Sequence, residues 1–101
     1  MRTLRDWLIM TTSTDTFDTA MGHFRARLGD PQLLADLVEI ALEGEDMGDA
    51  PWAAANVITE FPVALLRLHE LQLQQIAAEQ WDYLNRPAKE ALEKIASSRE
   101  S

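Results

Sequence analysis

Residues 30–43 read DPQLLADLVEIALE, and this stretch decides the fold class. Asp30 can accept hydrogen bonds from the orphan amides of a helix start, and Pro31 suits the first helical position. Leu33, Leu34, Leu37, Ile40 and Ala41 then fall along one side at helical spacing. Gly44 ends the run. The spacing predicts an amphipathic helix over residues 31–43, and the same grammar recurs on either side of it.

Toward the N-terminus, TFDTAMGHFRARL places Phe17, Ala20, Met21, Phe24 and Leu28 three and four residues apart. Thr14 or Asp15 is the expected cap, and Gly29 the expected C-terminal glycine. Before it, LRDWLI sets Leu4, Trp7 and Leu8 on one face, as a short helix or an arm against the core. Toward the C-terminus, EGEDMGD is a polar loop, and Asp49 to Pro51 repeat the start signal ahead of WAAANVITEF. Pro62 opens the unit VALLRLHELQLQQIAAEQWDYL. Its main stripe is expected along Leu65, Leu68, Leu71 or Gln72, Ile76, and Gln80 or Trp81, with Leu66 and Leu73 off it. Asn85, Arg86 and Pro87 mark a last boundary before AKEALEKIA, and SSRES is expected to fray. No stretch alternates as a strand would. The class is all-α: one domain over residues 1–101, a compact unit of four to five helices.

Two segments share an order of parts. LVEIALEGEDMGDAPWAAANVI and QQIAAEQWDYLNRPAKEALEKI each run helix, polar turn, proline, alanine-rich helix. Ala54 and Ile58 align with Ala91 and Ile95 at an offset of 37. Over residues 30–97 this resembles the HEAT and armadillo repeats, which implies antiparallel helical pairs. An unrelated bundle of four or five helices fits the same pattern.

The charge is uneven. Between Leu28 and Asn85 there are eleven Asp or Glu residues and one basic residue, Arg67, in a chain of net charge -8. Such a field attracts a basic protein and repels nucleic acid and anionic lipid. Absence of cysteine removes disulfide and thiolate chemistry. No apolar run approaches a membrane span, and the opening MRTLRDWLIM lacks the plan of a signal peptide, so a cytoplasmic protein is expected.

No catalytic set stands out. His23 and His69 are the only histidines, and His69-Glu70 lacks the second histidine of a zinc-binding helix. Glu45, Asp46 and Asp49 lack the ligand alternation of a calcium loop. The expectation is a chain that is not an enzyme and has no metal or cofactor. Glu39, Glu43, Glu45, Asp46 and Asp49 are expected to form one acidic patch beside Trp52, an aromatic that could anchor a partner or pack as core. Small acidic bacterial immunity proteins, some HEAT-like, resemble this plan, which implies occlusion of a basic target. The alternative is an assembly subunit, homodimeric or part of a larger complex, joined through a leucine-rich face around Leu66 and Leu73.

Overall fold

The computed structural model describes residues 3–43, 49–79 and 82–100, with the backbone alone at Asp49, Tyr83, Arg99 and Glu100. The described residues are helical, with no strand among them. In chain order they form α1 (Leu4–Met10), α2 (Thr14–Arg25), α3 (Pro31–Leu42), α4 (Asp49–Ile58), α5 (Val63–Leu66), a 3₁₀ turn (Arg67–His69), α6 (Glu70–Ala77) and α7 (Asp82–Glu100). The all-α expectation holds, with more helices than four or five because residues 63–84, read as one unit, are divided and the N-terminal stretch is a helix of its own.

Two helix starts follow from side-chain caps, whereas α2 begins at Thr14 after Ser13, with no side-chain cap at the expected Thr14 or Asp15. At α1, Thr3 Oγ1 accepts from the Asp6 amide at 3.2 Å while Asp6 Oδ2 accepts from the Thr3 amide at 3.0 Å, a reciprocal cap. At α3, Asp30 Oδ1 accepts from the amides of Gln32 and Leu33 at 3.0 and 3.4 Å, with Pro31 next to it. Partial burial alone would raise the Asp30 pKa. The Leu33 amide, the Arg27 guanidinium and the Gln32 amide outweigh it and hold the carboxyl below its ordinary value.

The core is continuous. Leu8, Phe24, Leu34, Leu37, Ile58, Phe61, Leu66, Leu73, Ile76, Leu84 and Ile95 are its largest enclosed members. Helix α4 packs on α3, α7 and α1, and its Ala53, Ala54 and Ala55 are all buried. Three methyl side chains in succession let neighbouring backbones come close on several sides. The four positions related by the 37-residue offset, Ala54, Ile58, Ala91 and Ile95, are equally buried. Each of their helices lies against the one before it, α4 on α3 and α7 on α6.

Four expectations are corrected. Arg25 ends α2, residues 26–29 continue as turns, and Gly29 is not a left-handed helix stop. The turn is closed instead by the amide of Arg27 on the carbonyl of Phe24 and that of Asp30 on the carbonyl of Arg27. Pro87 is no boundary but sits buried inside α7. In the second turn of that helix it forfeits one amide donor, to the carbonyl of residue 83. The division falls earlier: Asn85 Nδ2 donates to the carbonyl of Glu79 at 2.9 Å and ties α7 to the end of α6.

The tail does not fray at Ser97. Helix α7 runs to Glu100, and Arg67 Nη2 donates to Ser98 Oγ at 2.8 Å. Finally, the expected stripe of α5 and α6 holds at Leu65, half-buried, and Ile76, buried, but fails between them. Leu66 and Leu73 are core, whereas Leu68 and Leu71 are 66% and 73% exposed.

Candidate functional site

Helix α1 lies between α2 and α4, packing against both. The gap left between those two helices beyond the C-terminal end of α1 is a groove of about 390 Å³. Its floor is Met21 from α2 and Ala53 and Val57 from α4, all buried. Its walls are Phe17 and Trp52, 41% and 37% exposed. Arg25 and Glu60 close one rim with a 2.9 Å ion pair.

The groove does not stop at its walls. Phe17 and Thr11 also line a shallower depression with Asp18 at the start of α2. Trp52 and Asn56 also line one with Asp82, Arg86 and Glu90 of α7. The three adjoin through these shared walls as a trough, with the more apolar groove in the middle and carboxylates in the depressions on either side. Trp52 and Asn56 are the exposed positions of α4 between buried neighbours on either side.

The acidic residues expected beside Trp52 are distributed as follows. Glu39 is exposed on α3. Glu43 caps the C-terminus of α3 and holds Arg5 Nη2 with both carboxylate oxygens, at 2.5 and 2.6 Å. Neither lines the depressions beside Trp52, whose carboxylates are Glu60 and, from α7, Asp82 and Glu90. Glu45 and Asp46 lie outside the described residues, as do Gly44, Gln80 and Trp81. Asp49 is in the first turn of α4, with only its backbone described. Sequence reasoning missed Phe17, assigning it to the core stripe of α2. The signal against that was available: Phe17 lies one turn before the buried run, beside Asp15 and Asp18.

The histidines are separate. His23 stacks face to face on Trp7, ring centroids 4.0 Å apart and planes 4° from parallel. Burial, then the nearby Arg27 charge, lowers its pKa below the ordinary imidazole value. His69 is half-buried in the 3₁₀ turn. Among the described residues no group of three or more His, Asp or Glu is placed to hold a metal ion, and no helix is long and apolar enough to cross a membrane.

No family model matches the chain, and neither the curated proteins nor the solved structures contain a match to it.

Proposed function

We propose that this chain is a cytoplasmic, non-enzymatic protein-binding module that engages a basic protein partner through its acidic side. Trp52 carries the proposal. It stands exposed on a helix whose neighbouring positions are buried, beside carboxylates, in a chain of net charge -8. Large aromatics with one face open and the base held rigidly are typical binding anchors. Carboxylates around such an anchor steer a basic partner and compete for the lysines and arginines it would offer to phosphate. An inhibitor or immunity role by occlusion follows the same logic. The packing of α4 on α3 and α7 on α6 supports a HEAT-like pairing.

A labelled chain immobilised for binding-rate measurements against its captured basic partner tests this. Glu45→Lys with Asp46→Lys should slow association at low salt and matter less at high salt, because such charges act within about 8 Å at physiological ionic strength. Trp52→Ala should speed dissociation. Binding indifferent to salt, to the loop charges and to Trp52 would defeat the proposal. It would favour the assembly alternative, which could not use the buried Leu66 and Leu73 and would need the exposed Leu68 and Leu71.

A further inference from the structure

The trough between α2 and α4 has a charge order that specifies its occupant. Its centre is built from Met21, Ala53 and Val57 between the two exposed aromatics. No acid interrupts that floor; Glu60 sits on the rim and is engaged by Arg25. Asp18 lies at one end, and Asp82 and Glu90 at the other, accompanied by Arg86. Four carboxylates thus face two guanidiniums along the trough, and one of those guanidiniums is already paired.

Burying the Phe17 and Trp52 rings requires apolar side chains from the occupant. Satisfying the ends requires positive charge on both sides of them. A groove walled by two helices accepts a third helix, whose residues at i, i+3, i+4 and i+7 project into it. We infer that the Phe17–Trp52 trough docks an amphipathic helix of a partner protein, apolar at its centre and bearing lysine or arginine at both ends. This rests on the protein-binding proposal above and names the segment of the partner that would be gripped. An acidic helix is repelled at both ends. A second copy of this chain is disfavoured because its net charge of -8 would be brought against the same sign.

The test uses the whole chain and two synthetic helical peptides of roughly 16 residues that share one leucine face. One carries lysines at both ends and its twin carries glutamates. Titration calorimetry at low salt should show the lysine peptide binding at least about tenfold tighter than its twin, with the gap narrowing as salt is raised. Phe17→Ala should weaken the lysine peptide about tenfold, in the range of a truncated interface aromatic. Asp18→Lys and Asp82→Lys should each weaken it by a smaller factor, and only at low salt. Leu68→Ser and Leu71→Ser should leave it unchanged.

Phe17, Asp18 and Asp82 are exposed, so these variants should fold, and circular dichroism checks each. Were Phe17→Ala to lose helix, Asp18→Lys with Asp82→Lys carries the same decision. Equal affinity for the twins, indifference to the trough variants, or no binding by the lysine peptide up to about 1 mM overturns the inference. A concentration-dependent dimer abolished by Phe17→Ala would make the occupant a second copy and overturn it too. The two proposals fail separately. A basic partner whose binding depends on salt and on Glu45 and Asp46 but ignores Phe17, Asp18 and Asp82 leaves the acidic module standing and removes the trough.

Discussion

Helix α3 and the α5–α6 segment are both leucine-rich, yet one buries the face its sequence announces and the other buries only Leu65 in part and Ile76 of its expected stripe, replacing Leu68 and Leu71 by Leu66 and Leu73. In α3 the polar residues Gln32, Asp36, Glu39 and Glu43 recur every three or four positions and mark a single outer side. The leucines opposite them are core. In residues 63–77 the polar residues Arg67, His69, Glu70, Gln72, Gln74 and Gln75 surround the helix, and no side is cleanly wet. A stripe through Leu65 and Leu68 and one through Leu66 and Leu73 then have nearly equal apolar content. Contacts with α7 and α3 choose the second. The position of polar residues thus fixes a helix face as firmly as the position of apolar ones.

Truncations sharpen that contrast most. Leu37→Ala in α3 and Leu73→Ala in α6 should each lose about 2–5 kcal/mol, because each empties a fully enclosed site. Leu71→Ala, two residues from Leu73, should stay within about 0.5 kcal/mol. Urea unfolding of the three variants reads this directly. A Leu71→Ala loss as large as that of Leu73→Ala would reverse the assigned face.

The helix starts differ as well. Asp30 caps α3, whereas Pro62 precedes α5 with no side-chain cap. Asp30→Ala should destabilise the chain by removing the cap, visible as a lower urea midpoint at neutral pH. Glu43→Gln, which weakens the exposed Arg5 pair at the other end of α3, should cost less than about 1 kcal/mol, and the cost should vanish in high salt.

The smallest effect concerns pH. The His23 pKa is lowered on folding, so the unfolded chain takes up that proton first as pH falls. Its contribution is present above 6.5 and is lost below it as pH falls through the folded value. Asp30, also lowered, contributes above 3.8 and loses that contribution only in stronger acid. Urea midpoints compared at about pH 7.5 and 5.5 should decline slightly, and His23→Gln should flatten that decline.

The helical class, the Asp30-Pro31 start and the α3 core were legible because caps, proline and periodicity agreed there. The Pro87 boundary was misread because proline is also tolerated within a helix where packing compensates for one lost hydrogen bond. Here the ring is buried, and Asn85 secures the preceding turn. The trough was only half legible. Trp52 stood out from its setting, but its counterpart Phe17 shares the helical spacing of true core residues. The flanking Asp15 and Asp18 hint that Phe17 lies outside the core, but the groove it walls depends on how α1 spaces α2 from α4, which is set by tertiary packing.

The three consecutive alanines of α4 have a consequence for how this surface could change over evolutionary time. Positions 53–55 have little tolerance, since even one added methyl group must displace a neighbouring helix. Positions 52 and 56 are open and can be redrawn at little cost to the fold. A saturation library across 50–58 should therefore return small residues at 53–55 and wide variety at 52 and 56. A closely packed helix thereby offers replaceable side chains on a firmly held base. A new specificity can be written there one residue at a time, and each trial leaves the scaffold beneath it unchanged.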